Sequence, residues 1–451
     1  MNKKIKITII GGGSSYTPEF IRGLIERSDE LEIRELWLVD VELGQKKLRI
    51  IYEFAQRMLK KANLKWKIFA TLDRKEALKN ADFVATQFRV GGIDTRVLDE
   101  RIPLSHQLLG QETNGAGGIF KALRTIPVAL EIAKDIRELC PQAWLINFTN
   151  PSGIITQTFI KEGKISKTIG LCNVPLIHKS NEAAALGIPE DELFFKFAGL
   201  DHFHWHRVWN RDGDEVTAKL IKILYQNPDP KQQFVQNIDA GKYNYEQIAD
   251  LGILPCEYHR YYYATDEMLQ EQLKDYKKNT VRAQEVKKIE LELFELYKDP
   301  ELDTVPPELK KRGGAHYSDA ACDAISSIYN DKGETMVVST ENRGAIAELP
   351  SDTIVEVSAR ITSHGAEPIA WGKFASAPRG FLQLIKGMEE VIISAGKNGN
   401  YGTALQAFTL NPLVTSGKTA QKVLDELLLA HEQYLPQFAD CIAELKKSSR
   451  R

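Results

Sequence analysis

Ile5-Lys6-Ile7-Thr8-Ile9-Ile10-Gly11-Gly12-Gly13-Ser14-Ser15-Tyr16-Thr17-Pro18 is the stretch on which the fold turns. Its first six residues are rich in β-branched side chains and read as a strand. Three glycines follow, then Thr17 as a good N-cap and Pro18 as a good first helical residue. A strand, a glycine turn and a helix in that order bring backbone N–H groups and a helix N-terminus to one spot, which suits a pyrophosphate. The dinucleotide fingerprint asks for a third glycine where Tyr16 stands, so the tight-turn and close-approach glycines, Gly11 and Gly13, are present and the helix-packing one is not. Asp40 ends the next strand-like run, Glu35 to Val39, where a carboxylate accepts both ribose hydroxyls of NAD and repels the extra phosphate of NADP. Gly11, Gly13, Ser14, Ser15 and Asp40 are therefore the candidate NAD-binding residues. The plainer alternative is a glycine turn, with Asp40 capping a helix that begins near Glu42.

Outward from this stretch, short apolar runs alternate with longer amphipathic ones: Lys67 to Ala70, Phe83 to Phe88, Trp144 to Phe148 and Thr168 to Leu171 read as strands, Gln45 to Lys61 and Leu123 to Leu139 as helices. That rhythm predicts an α/β fold with a doubly wound, Rossmann-like parallel sheet. After about residue 175 the pattern becomes mixed α+β. It holds a histidine-rich strand near Phe203 to Val208, a tyrosine-rich stretch from Tyr243 to Tyr263, a charged helix around Ala283 to Tyr297, strands at Thr335 to Ser339 and Thr353 to Val357, and a mainly helical end. The expected division is an NAD-binding domain over 1–172 and an α+β substrate and catalytic domain over 173–451. The basic tail Lys446 to Arg451 is expected to be frayed and solvated.

The 451 residues carry 59 Lys+Arg against 61 Asp+Glu, a formal charge of −2, which argues against nucleic acid because that partner requires many phosphates to be neutralised. With 43% hydrophobic and 27% charged residues the composition is that of a soluble globular chain. No apolar run approaches the roughly 18 residues of a membrane span. The start carries no signal-peptide pattern, so a cytoplasmic protein with small-molecule partners is expected. Cys140, Cys172, Cys256, Cys322 and Cys441 form no CxxC pair and are expected to be reduced thiols.

Gly170-Leu171-Cys172-Asn173-Val174-Pro175 falls at the carboxyl end of a predicted strand, the edge at which open α/β sheets hold ligands. Further on, Gly199-Leu200-Asp201-His202-Phe203-His204-Trp205-His206 sets three histidines at period two, on one face if the segment is a strand. A thiolate and an imidazole make a divalent-metal pair, though too few ligands for a closed structural zinc site. The alternative buries Cys172 as a small hydrophobe and hydrogen-bonds the histidines within the strand. Phe148-Thr149-Asn150-Pro151-Ser152-Gly153 follows another strand at the same edge, and its Asn-Pro pair equally favours a turn.

Taken together, these motifs resemble glycoside hydrolase family 4, the NAD- and divalent-metal-dependent glycosidases, nearly end to end. The matching residues are the loop at 11–18, Gly91-Gly92-Ile93-Asp94-Thr95-Arg96, Gly110-Gln111-Glu112-Thr113, Asn147-Phe148-Thr149-Asn150-Pro151 and the Cys172 and His202 motifs. Tyr258-His259-Arg260-Tyr261-Tyr262 and Lys311-Arg312-Gly313-Gly314 complete the set. This family is an established exception to the two-carboxylate rule for glycosidases.

The resemblance implies that bound NAD takes hydride from C3 of a sugar, a tyrosine removes the acidified C2 proton, the aglycone leaves, water adds and the hydride returns. It implies Cys172 and His202 as ligands of Mn²⁺ or a similar ion, Tyr258 as base, and Glu112 as its assistant. Arg96, Asn150, Asn173 and Arg282 are implied as substrate-binding residues, with Arg282 on a 6-phosphate. A free tyrosine pKa near 10 is too high for the task unless cations lower it, the metal and Arg260 being the expected sources. Asn173 has no titratable proton to give a leaving group, which points to 6-phospho-β-glucosides over α-glycosides and leaves the general acid unassigned. The family also implies a homo-oligomer, dimer or tetramer. Three other readings stand beside this one: an α-glycosidase of the same family, a net oxidoreductase of the lactate/malate dehydrogenase kind, suggested by the glycine loop and the Asn150-Pro151 turn, and a non-catalytic NAD-binding sensor.

Overall fold

Strands of both halves of the chain lie in one twelve-stranded sheet in the computed structural model, which describes residues 4–226, 233–235, 238–239, 243–313 and 317–448. Residues 1–3 of the N-terminal stretch, Gly314 of the Lys311 motif and 449–451 of the basic tail lie outside the described residues. The parallel part comprises β1 (Ile5–Ile10), β2 (Ile33–Val39), β3 (Lys67–Thr71), β4 (Phe83–Thr86), β5 (Trp144–Asn147) and β6 (Thr168–Gly170), in spatial order β3-β2-β1-β4-β5-β6. This is the doubly wound order, reversing between β1 and β4, and the expected fold class is observed. All six residues of β1 are buried, as a central parallel strand covered on both faces requires.

The antiparallel part comprises β7 (Leu193–Leu200), β8 (Phe203–Asn210), β9 (Leu254–Pro255), β10 (Glu334–Glu341), β11 (Ile354–Thr362) and β12 (Gly365–Pro368). The two parts join where β10 runs beside β6, with Ser339 opposite Gly170. The division at 172/173 thus falls where parallel pairing gives way to antiparallel pairing. The cores follow the faces of the sheet instead. One gathers Val84 and Leu145 with Phe120 and Leu123 of the helix Gly115–Leu139, Leu382 of Ser376–Asn398 and Leu424 of Gly417–Ala430. The other gathers Ile7, Phe83 and Ile146 with Phe20 of Thr17–Glu26, Phe54 of Gln45–Lys61, Leu293 of Arg282–Tyr297 and Ile325 of Tyr317–Asn330. Adjacent strand residues go to opposite cores because side chains alternate across the pleat.

Four helices carry or support the site and are labelled in chain order: α1 (Thr17–Glu26), α2 (Gly92–Ser105), α3 (Gly115–Leu139) and α4 (Val174–Leu186). A fifth, α5, is Arg282–Tyr297. Several expectations need correction. Tyr16, not Thr17, precedes α1; Thr17 is its first residue, and its Oγ1 accepts from Gln87 Nε2 at 2.7 Å. Helix α3 begins at Gly115 rather than near Leu123, because its glycines pack instead of breaking it. His202 is not in a strand: it sits in the turn between β7 and β8 with φ +59°, so only His204 and His206 share the face of β8. Lys446 is not frayed; it belongs to the helix Ala439–Ser448 and pairs with Glu432. Among the described residues no helix is long and apolar enough to cross a membrane.

Helices α2 and α3 are clamped by a wholly buried ion pair. Arg124 donates through Nη1 to Asp99 Oδ1 at 2.8 Å and through Nη2 to Oδ2 at 2.5 Å, with His431 Nε2 3.2 Å from Oδ1. Burial pushes the Asp99 carboxyl up, but Arg124 and His431 outweigh it and leave it lowered. Arg124→Met should lower the denaturation midpoint by the equivalent of about 3–5 kcal/mol, because it strands a buried carboxylate. Adding Asp99→Leu should recover most of the loss in the same measurement; no recovery would mean that packing, not charge, sets the cost.

Candidate active site

The carboxyl ends of β1, β4, β5 and β6 open onto one crevice. At its floor, the chain leaving β6 passes through Cys172 and Asn173 into α4, and the β7–β8 turn presents His202 opposite. Cys172 Sγ lies 3.3 Å from His202 Nε2. Asp201 joins them: one ligand atom of each of the three lies within 4.8 Å of the others. Asp201 Oδ2 accepts from Gly153 N at 3.3 Å and lies 3.6 Å from His202 Nδ1, while its buried Oδ1 has no partner. A soft thiolate, an imidazole and a carboxylate oxygen awaiting a partner fit a divalent transition ion. Burial, then Asp201 and Glu356, push the Cys172 thiol well above its usual range, so holding a thiolate there calls for a cation.

The Tyr258 ring stacks on His202, centroids 4.2 Å apart. Cys172, His202 and Tyr258 are thus brought together. Burial, then Tyr261, Cys172 and Glu112, hold the Tyr258 hydroxyl well above its usual value. Arg260 does not counter this, contrary to expectation. Its Nη2 donates to Tyr261 Oη at 3.3 Å and its guanidinium lies over the Tyr261 ring.

Glu112 is not a solvated surface acid. It is gripped by Arg89 Nη1 at 2.6 Å, Arg96 Nη1 at 2.8 Å and Lys121 Nζ at 3.0 Å. Burial alone would raise its carboxyl, yet these cations hold it well below the usual range. Arg96 also donates through Nε to Glu100 at 2.8 Å. A cavity of about 280 Å³ runs past this cluster, lined by Tyr16, Arg96, Glu112, Tyr258, Arg282 and Arg312. Arg282 opens α5 at its rim, with Nη1 3.3 Å from Glu285 and Nη2 donating to Lys311 O at 3.4 Å. Asn150 Oδ1 is shielded from solvent and has no partner. Asn173 occupies the position before α4.

In the glycine loop, Gly13 N donates to Asp40 Oδ2 and Val41 N to Asp40 Oδ1, both at 2.8 Å. A Cβ at Gly13 would stand 2.7 Å from that Oδ2, so only glycine lets the loop close on the acid. Each Asp40 oxygen keeps a lone pair for a ribose hydroxyl, so the loop and acid fit NAD. Ser14 Oγ accepts from Tyr16 N at 3.3 Å. Ser15 is buried and turns to α5, its Oγ donating to Glu290 at 3.4 Å and its carbonyl accepting from Tyr297 Oη at 2.9 Å. Tyr16 fills the place of the third glycine because its ring lines the cavity, with Arg312 over its face at 5.0 Å.

Sequence reasoning gave Asp201, Tyr16 and Arg312 no site role beyond their place in a motif, and it passed over Arg89 and Lys121. For Lys121 a signal existed, a lone lysine in the otherwise apolar run Gly115 to Leu123. Burial, with Arg89 beside it, lowers its ammonium from 10.5 to about 7 against the pull of Glu112. The folded chain therefore sheds this proton while the unfolded chain still holds it, and stability rises with pH across that interval. Lys121→Met should lose the slope. The wild-type denaturation midpoint should gain on the variant's between about pH 7 and about pH 9.5, and a constant difference would refute the shifted lysine.

Residues 6–188 match the model of the family described as "Family 4 glycosyl hydrolase", and residues 197–414 that of "Family 4 glycosyl hydrolase C-terminal domain". A protein of Bacillus subtilis (strain 168) named "Probable 6-phospho-beta-glucosidase" is 51% identical over 439 residues, 97% of this chain and 99% of its own length. The 6-phospho-beta-glucosidase of Escherichia coli (strain K12) is 46% identical over 450 residues, 99% and 100% of the two chains. The solved structure of the 6-phospho-beta glucosidase from Thermotoga maritima with manganese, NAD+ and glucose-6-phosphate is 32% identical, with a TM-score of 0.86 over 95% of this chain and 99% of that one. With both models matched in order along most of its length, this chain belongs to the family 4 glycosyl hydrolases.

Proposed function

We propose that the chain is a 6-phospho-β-glucosidase that hydrolyses substrates such as cellobiose 6-phosphate to glucose 6-phosphate, with NAD and a divalent metal such as manganese as cofactors. The observation that carries the reading is the Cys172–His202 pair, 3.3 Å apart under the Tyr258 ring, in the crevice that the glycine loop and Asp40 border. Relatives at 51% and 46% identity bear that activity in their names.

Bound NAD⁺ supplies reversible hydride exchange at C3 of the sugar, and a bound metal supplies positive charge at the neighbouring oxygens. The chain's own residues do the rest. Gly11, Gly13, Ser14, Ser15 and Asp40 form the dinucleotide cradle, and Cys172 and His202 hold the metal, with Asp201 beside them. Tyr258 takes the proton at C2 as the aglycone leaves C1 and gives a solvent-exchanged proton back to C2 when water adds at C1, the water's second proton balancing the released aglycone. Because the hydride goes back to C3, no net oxidation results. Glu112 acts on the site by anchoring Arg96, since its own carboxylate is saturated by cations. Arg96, Asn150 and Asn173 bind sugar hydroxyls, and the Arg282 fork takes the 6-phosphate. Asn173, without a titratable proton, favours β- over α-glycosides.

In this reading residues 1–172 bind the nucleotide and also bring Arg96, Asn150 and Cys172 to the sugar, while 173–451 supply His202, Tyr258, Asn173 and Arg282. The protein acts in the cytoplasm as a homo-oligomer, dimer or tetramer; the family resemblance supports both statements. The membership in a glycosidase family weighs against the net dehydrogenase and the sensor.

Nitrophenyl 6-phosphoglucosides of both anomers, assayed with NAD⁺ and Mn²⁺ each omitted in turn, test the proposal. Turnover of the β anomer alone, dependent on both cofactors, is expected. Preference for the α anomer, or stoichiometric NADH in place of glucose 6-phosphate, would overturn it. Hydrolysis in D₂O should also place deuterium at C2 of the product, and a product without it would remove Tyr258 from the role of base.

A further inference from the structure

Behind the Cys172–His202 pair lies a second group of ligand-type side chains that the proposed chemistry does not use. His178 on α4, His204 on β8 and Cys256 just after β9 bring one ligand atom each to within 4.8 Å of one another. Their exposures are 3%, 0% and 0%, so no solvent reaches the group. Both imidazoles are committed on one side: His178 Nδ1 lies 3.2 Å from Glu182 Oε1, and His204 Nδ1 lies 2.5 Å from Glu356 Oε2. Their Nε2 atoms have no partner. An imidazole that gives its Nδ1 proton to a carboxylate is left with a lone pair at Nε2, and a buried lone pair without a donor is costly.

The surroundings lean the same way. Glu182 and Glu356 are each 1% exposed, and among the described residues their ion pairs are with histidines alone: Glu182 with His178 and His206, Glu356 with His204. Among the described residues no lysine or arginine pairs with them. A carboxylate on the far nitrogen is the arrangement that fixes the tautomer and aim of a metal-bound histidine. The neighbouring set His178, Glu182 and His206 is already closed on itself through Glu182, so it has less to offer an ion.

We propose that His178, His204 and Cys256 form a second, structural metal site for a divalent ion, zinc above all, with Glu182 and Glu356 orienting the two imidazoles. The nitrogen and sulfur donor set is one that suits zinc, and a trapped water completes four-coordination. The position gives the ion a task. Each ligand shares its segment with a member of the active site: His178 follows Cys172, His204 follows His202, and Cys256 precedes Tyr258. One ion would tie the three segments together and fix the spacing of the groups in front of them.

Metal content tests this without recourse to turnover. Full-length Cys172→Ser protein, which lacks the active-site thiolate, is grown with zinc and dialysed against EDTA. It should retain about one zinc per chain. X-ray absorption should show sulfur and imidazole scatterers at that zinc. The double variant Cys172→Ser/Cys256→Ser should lose it. Cys172→Ser protein that comes through dialysis without metal would overturn the proposal, as would a retained zinc with no sulfur neighbour or a double variant that keeps it. Should the double variant fail to fold, the absorption spectrum of the Cys172→Ser protein decides alone. Retention of zinc in Cys172→Ser is independent of manganese-dependent turnover, so the failure of this site and of the proposed active-site metal are distinguishable.

Discussion

A single antiparallel register holds the site together: Gly170 at the end of β6 opposite Ser339 in β10. Cys172 comes from the parallel half of the sheet, His202 and Tyr258 from the antiparallel half, and they meet only because the two halves are one surface. The join is close. A Cβ on Gly170 would stand 2.1 Å from Thr156 Oγ1 and 2.8 Å from Ser339 Cβ, so a larger residue would force the strands apart just before the chain delivers Cys172. The cores reinforce the constraint, since each draws helices from both halves onto one face.

Charge divides the crevice into two ends. Around Cys172 the neighbours are acidic, Asp201 and Glu356, and burial with these neighbours drives the thiol up. Around Glu112 they are basic, Arg89, Arg96 and Lys121, where burial first and Arg89 second bring the Lys121 ammonium down to about 7. The first end calls for a cation and the second, continued by Arg282 and Arg312 along the cavity, for an anion. A phosphorylated sugar that also coordinates a metal meets both demands, because its phosphate and its ring oxygens lie at opposite ends of one small molecule. Tyr258 sits between them. Its phenol is raised by burial, then by Tyr261, Cys172 and Glu112, so a base at this position calls for added positive charge.

Much of the fold was legible because period and punctuation agreed. The six parallel strands stand where short apolar runs met turn residues, and Gln45–Lys61 is helical over its predicted length. Cys172 and His202 were also legible, through the motif order that resembles a known family. What escaped sequence reasoning depends on distance in space rather than along the chain. The grip of Arg89 and Lys121 on Glu112 joins residues of three segments, so no spacing announces it. The position of His202 was misread because period two described His204 and His206, while a left-handed residue in the turn broke the run. The early start of α3 was missed because glycines that pack against a neighbour look, in one dimension, like glycines that end a helix.

Tyr16 shows how a departure from a local pattern carries information. The dinucleotide fingerprint places glycine there so that the helix lies close to the strand, and a tyrosine sacrifices that packing. Here its ring faces the cavity under the Arg312 guanidinium, and its hydroxyl donates to Arg312 O at 3.3 Å. The side chain thus roofs the passage between the glycine loop and the basic cluster, a position that a glycine would leave open to water. A rule broken at the glycine loop, with the displaced side chain lining the cavity, is where consistency between sequence and fold gives way to function. The same logic separates the two histidine groups. His202 leaves the strand at the turn and reaches Cys172, whereas His204 keeps to the strand and its buried Nε2 is left without a partner.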